Sequence, residues 1–215
     1  MRAANQVQSP PSLARLRGGE ALRETPLDAA FSYERLMSLA PRPEYGVTLA
    51  LAGVMSASWR RFGLHCQPLY GFSAANTRRL LAEHFPGAAE MFAIDWRNFT
   101  TPDAFTEAIE MEDLVQMLVD HRTVQDEDSI WLAHALATGC LGSDHLWQDM
   151  NLPSRKVLSD LLHGFFTSLA ARNRKDMKWK KFLYLQLCER AEIRVCKSPS
   201  CGVCVDYSVC FGPEA

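Results

Sequence analysis

Apolar residues recur along most of this chain at the three-to-four-residue spacing of one helix face. No alternating strand pattern bounded by hairpin turns stands out. The clearest stripe is Val157, Leu158, Leu161, Leu162, Phe165, Phe166 and Leu169, which predicts an amphipathic helix over 153–169. A second stripe, Phe105, Ile109, Leu114, Met117 and Leu118, predicts a helix opened by Thr101-Pro102-Asp103 and running to about His121. Upstream, 27–39 reads as a short helix stopped by Pro41 and Pro43, and 44–62 as a long apolar one. The segment 73–84 reads as a helix with a serine N-cap, ending before Pro86. Downstream, a helix over 126–141 and a short turn over 144–150 flank a Gly142-Ser143 break, and 176–190 is the last helix. The expected fold class is all-α. A single helical bundle covers 27–190, and an irregular cysteine-rich tail covers 191–215. The extension over 1–26 has too little apolar surface to offset its ordering entropy, so it is expected to be disordered.

Composition changes this picture little. The 215 residues are 47% hydrophobic and 22% charged, ordinary for a globular domain. A net charge of −2 argues against generic nucleic-acid binding. No apolar run reaches the roughly 18 residues of a membrane span; the best, 47–57, reads as a buried helix. No secretory h-region follows Arg2, so the expected setting is the cytoplasm. Thiols stay reduced there, and an odd total of seven cysteines argues against a purely disulfide framework. The absence of a P-loop, a G-x-G-x-x-G run or a Ser-His-Asp signature motif predicts something other than a conventional enzyme.

The candidate chemistry gathers in the tail. Cys196, Cys201, Cys204 and Cys210 read C-x4-C-x2-C-x5-C. Soft thiolates select zinc or iron–sulfur clusters over hard cations. The first two spacings match the run of plant-type 2Fe–2S ferredoxins. A structural zinc site with four thiolates normally uses two C-x2-C pairs. Only one such pair is present here, and the wider gaps suit a larger inorganic cluster. Spacing alone leaves both readings open. Cys188, eight residues before Cys196, is a candidate further ligand. His145 and Asp149, four apart, would share a helix face. They could complete the coordination of an oxygen-loving metal, or His145 could bond Asp149 or cap a helix. Cys66 and Cys140 read as structural, and the other five histidines are unassigned. The run 172–181 holds six basic residues against one acid, Asp176. It would attract anions, or simply be a solvated face.

Three blocks make the sequence resemble the NifQ family of nitrogen-fixation proteins. They are the tail from Cys196 through Cys210-Phe-Gly-Pro, the stretch 172–182 with Tyr184 and Gln186-Leu-Cys188, and Asp144-His145-Leu-Trp147-Gln-Asp149. The resemblance covers roughly residues 30 to 215. It implies a molybdenum–iron–sulfur cluster, built on an iron–sulfur precursor, with Cys196, Cys201, Cys204 and Cys210 as ligands. It implies donation of molybdenum for biosynthesis of the nitrogenase iron–molybdenum cofactor. The implied partners are the nitrogenase cofactor assembly scaffold, the nitrogenase iron protein and molybdate, with no nucleic acid or membrane. The competing classes are an iron–sulfur redox or sensor protein and a zinc-stabilised interaction module.

Overall fold

The computed structural model describes residues 31–108, 110–192 and 207–211. The expected disordered extension lies outside them. Within the described residues the chain is built of helices and has no strand. The nearest thing to a sheet is an isolated parallel bridge between Cys66 and Thr100.

The helices begin where short polar side chains can satisfy orphan backbone donors. Ser32 opens α1 (Tyr33–Met37) by accepting from the Arg35 N–H at 3.2 Å. Ser73 does the same for α3 (Ala74–His84), Asp126 for α7 (Glu127–Cys140) and Ser154 for α9 (Arg155–Phe165). The long apolar helix is α2 (Gly46–Phe62), ended by Gly63 at φ +92°, a left-handed conformation that glycine adopts without strain. α7 is the axis of the core. It packs on α2 and on α6 (Glu110–Asp120), and ten of its fourteen residues are buried. α11 (Trp179–Arg190) lies against α6. The four-residue α8 (Leu146–Asp149) seats on α7, α9 and α2. One-turn helices α4 (Ala88–Met91), α5 (Asp103–Thr106) and α10 (Thr167–Ala170), with α12 (Tyr207–Phe211), complete the described set.

Four predicted helices are shorter or split; among the described residues, the one expected over 27–39 is helical only from Tyr33 to Met37. The helix expected from 103 to 121 is two, α5 and α6, with Glu107 and Ala108 outside both. The helix over 153–169 breaks at Phe166, whose ring is fully buried and whose backbone sits at φ −134°, ψ 47°. Thr123 enters the gap, its N–H donating to the Phe165 carbonyl at 2.8 Å while its hydroxyl oxygen accepts from the Thr167 N–H at 3.0 Å. The last helix starts at Trp179 rather than 176. Asp176 is left-handed at φ +53°, gripped by the Arg155 guanidinium at 2.8 and 2.9 Å. Asn173 meanwhile closes a side-chain ring on the backbone of Met177.

Candidate functional site

The end of α7 and the loop after it form the most elaborate polar construction next to the tail. α8 reaches its seat because two glycines let it approach. A Cβ on Gly53 would overlap the Met150 carbonyl oxygen, and one on Gly139 would meet Met150 Cγ at 2.7 Å. Leu146 and Met150 are buried there. His145 is the N-cap of α8 with extended backbone, not a residue inside it. Its N–H donates to Gln148 Oε1 at 3.2 Å, and its carbonyl accepts from Gln148 and Asp149 N–H at 2.8 and 2.9 Å. Of the two readings of His145 and Asp149, the structure shows the cap: His145 opens α8 and Asp149 lies within it with different partners.

Asp149 turns to Lys180, thirty-one residues further along, and forms an ion pair with it. The same ammonium donates to the carbonyls of Gly142 at 3.1 Å and Asp144 at 2.8 Å. Asp149 Oδ1 also accepts from the Asp144 N–H at 3.4 Å. Lysine side-chain exposure is 18% and aspartate 12%, so this clasp is largely shielded from water. Beneath it Cys140 is wholly buried, and that burial pushes its thiol up to about 12, with Lys180 offsetting part of the effect. Cys140 is thus an inert, protonated packing residue, as expected.

The clasp is a wall between two clefts. One, of about 530 Å³, is lined by Val54, Arg61, Phe62, Phe105, Gly142 and Asp149 among others. The other, of about 670 Å³, is lined by Ser143, His145, Gln148, Lys178, Lys181 and Val209 among others. Val209 belongs to α12, which is tied to the start of α11. The Lys178 N–H donates to the Cys210 carbonyl at 2.8 Å, and its ammonium to the Ser208 carbonyl at 3.5 Å.

Of the four tail cysteines, Cys210 lies within the described residues as a half-buried free thiol packed at the edge of the core. Cys196, Cys201 and Cys204 lie outside them. The described ends of the cysteine-bearing stretch sit at opposite ends of α11: Glu192 just past its C-terminus, Cys210 at its N-terminus. That helix is about 18 Å long. Cys188 is half-buried on the last turns of α11. No group of three or more metal-type ligands is assembled among the described residues. A free, partly exposed thiol whose own backbone is tied to a basic cleft suits an anionic thiolate-bound cluster, so the part of the donor set described fits that chemistry.

The basic run divides. Arg172 donates to Gln186 Oε1 at 3.3 Å on the far side, beside His121. Lys180 is consumed by the clasp. Arg174 and Lys175 are exposed. Lys178 and Lys181 face the cleft beside α12.

Sequence reasoning missed Lys180 as the partner of Asp149, and no local pattern signals a contact so far apart. It also left His84 unassigned. That ring, fully buried, links three helices. It bonds the Thr48 hydroxyl at 2.9 Å through Nδ1 and the Asp128 carboxylate at 3.0 Å through Nε2. The Tyr45 hydroxyl donates to the other Asp128 oxygen at 2.8 Å. Bonding to His84, then Tyr45, holds the Asp128 carboxyl below its usual range, while burial first and Asp128 second raise the Tyr45 phenol. Thr48 is buried and lines neither cleft beside the clasp, so this chain of groups is a staple rather than a nucleophile with its base.

Fold and site define a helical protein whose cysteine-bearing end returns to a basic cleft at the start of its last long helix. The chain belongs to the NifQ family, a family of nitrogen fixation, whose sequence model matches residues 50–212. It is 39% identical over 163 residues to the protein NifQ of Azotobacter vinelandii, covering 72% of this chain and 84% of that relative. It is 43% identical over 91 residues to NifQ of Rhodobacter capsulatus, covering 42% and 51%. A NifQ homolog of Sinorhizobium fredii is 34% identical over 143 residues, covering 66% and 60%. No solved structure matches the chain. No described helix is long and apolar enough to cross a membrane.

Proposed function

We propose that this protein is a cytoplasmic metal carrier rather than a catalyst. Its cargo is a molybdenum–iron–sulfur cluster held by the thiolates of Cys196, Cys201, Cys204 and Cys210, and it donates molybdenum for assembly of the nitrogenase iron–molybdenum cofactor. The observation that carries this reading is that the family match, residues 50–212, spans the whole cysteine motif. The placement of Cys210 adds support, because a carrier site needs thiolates at the surface rather than in the core. His145 and Asp149 become weaker ligand candidates, because Asp149 is engaged by Lys180 and His145 caps a helix, while Cys188 stays a candidate as a half-buried free thiol. The acceptor is the cofactor assembly scaffold, working with the nitrogenase iron protein, and the metal source is molybdate.

The test is anaerobic purification of the full chain and of Cys201→Ala and Cys204→Ala variants. Wild type should contain iron, sulfide and molybdenum and show visible sulfur-to-iron absorption. The variants should lose colour and metal while keeping helical circular dichroism, since the described helices pack into a core from other residues. Metal-loaded protein should serve as the molybdenum source for cofactor assembly in vitro. Iron without molybdenum, or zinc alone, would overturn the donor role, as would variants that keep full iron and colour.

A further inference from the structure

The first turn of α11 breaks a rule of helix electrostatics. A helix N-terminus carries partial positive charge from its unpaired N–H groups and favours acidic neighbours. Here the N-cap is Lys178, Lys180 and Lys181 follow within the first turn, and no acidic residue is present in it. Local rules are violated most often where function requires it. One of the three charges is matched internally, because Lys180 pairs with Asp149. Among the described residues, neither Lys178 nor Lys181 has a carboxylate partner. Both line the same cleft of about 670 Å³, whose floor is the clasped loop and α8 and whose wall is α12. Asp144 is the carboxylate residue at its rim; it is exposed, and its carbonyl is turned to Lys180. Two ammonium groups three residues apart and a helix N-terminus thus converge on one small concavity. A macromolecular acidic partner would need a broad charged face, whereas this charge is concentrated in a pocket.

We propose that this cleft is a docking site for a small tetrahedral oxyanion, with Lys178 and Lys181 as its charged donors. The inference rests on the carrier reading only for its purpose: an oxyanion docked there lies beside the helix that carries Cys210, where cargo metal would arrive in its hydrated, oxygen-bound form.

The probe is molybdate, measured by anaerobic equilibrium dialysis against the full chain at low ionic strength, with tungstate, sulfate and phosphate as competitors. Wild type should bind about one molybdate per chain, displaced by the other tetrahedral oxyanions, and binding should weaken with added salt. The Lys178→Ala/Lys181→Ala double variant should lose roughly ten-fold or more in affinity with unchanged iron content and circular dichroism. An Arg174→Ala/Lys175→Ala control, with charges removed outside the cleft, should bind as wild type. Equal loss in the control means diffuse attraction and overturns the proposal, as does unchanged binding in the cleft variant. The Cys201→Ala/Cys204→Ala protein separates the two readings. Retained binding without a cluster supports the cleft. Loss of binding there places the oxyanion on the thiolates and overturns the cleft while leaving the carrier role intact. A wild-type chain that binds molybdate through the lysines but holds no iron sinks the carrier role alone.

Discussion

Two polar clasps sit at opposite ends of α7, and they differ in what surrounds them. At the N-terminal end, Asp128 joins His84, Thr48 and Tyr45 in a closed set of bonds that ties α7 to α3 and the start of α2. At the C-terminal end, Lys180 and Asp149 are bonded as fully, but one side of the pair faces a cleft lined by Arg61 and the other a cleft lined by Lys178 and Lys181. Both satisfy the demand that buried polar groups be paired. The first spends its bonds on cohesion. The second holds a loop, a helix cap and the start of α11 in register next to the returning tail. A clasp with clefts on both faces is where a bound group can be read by the fold; the first clasp borders neither of these clefts, although Asp128 keeps 17% side-chain exposure.

The largest effect expected is at the seat of α8, which carries the open clasp. Gly53→Ala would place a methyl group on the Met150 carbonyl, a backbone atom that cannot step aside alone. Overpacking of this kind costs on the order of 3 kcal/mol, equivalent to a fall of roughly 6–12 °C in Tm for a domain of this size. Thermal unfolding followed by circular dichroism checks it, and an unchanged Tm would mean that α2 and α8 do not approach as described.

The first clasp should reveal itself through pH. The Asp128 carboxyl is held below its ordinary value of 3.8, chiefly by its bond with His84. A carboxyl depressed in the folded state contributes stability that is fully present above its unfolded value and is lost as the pH falls through the folded one. Asp128→Asn should therefore cost about 2 kcal/mol near neutral pH, the scale of a charge-assisted bond lost from a buried network. The difference from wild type should begin to shrink below about pH 4, where the unfolded carboxyl takes up its proton, and should be gone once the pH has fallen through the lower folded value. Urea unfolding across that range is the measurement. A difference that stays constant with pH would show that charge plays no part in the staple.

What the sequence revealed follows the range of the interactions. Helix type and several starts were legible because Ser73, Asp126 and Ser154 act within three residues of themselves, whereas the start at Ser32 fell inside the helix expected over 27–39. The break at Phe166 was not, because it depends on Thr123, over forty residues away, entering the backbone. The site divides in the same way. The cysteine spacing marks a metal motif by itself, and the basic run was visible as composition. That Lys180 is spent on Asp149 while Lys178 and Lys181 remain for the cleft depends on how α8 meets α11, which no window of the chain encodes. His145 and Asp149 show where spacing left two readings open and the fold chose the cap. The four-residue spacing is real, but Pro153 and the Gly142-Ser143 break leave a helix so short that His145 falls on its cap.

The smallest effects contrast two ion pairs on α11 itself. Lys180, at its start, is shielded and makes three bonds, whereas Arg190, at its end, meets Asp120 at 2.7 Å with side-chain exposures of 46% and 42%. Removing one member of a shielded pair strands the other and two carbonyls, so Lys180→Met should cost about 1–2 kcal/mol, less than a fully buried pair because water still reaches its edge. Its signature should be local. Amide exchange over 142–149 should quicken well before global unfolding. In a double-mutant cycle, Asp149→Ala should add less in the Lys180→Met background than alone, since each change removes the same bond. Arg190→Ala should leave Tm within error, and added salt should erase any residue of its effect, because an exposed pair exchanges its partner for water at almost no cost. If Arg190→Ala proved as damaging as Lys180→Met, shielding would not be what separates the two ends of α11. The open clasp would then be one surface pair among several.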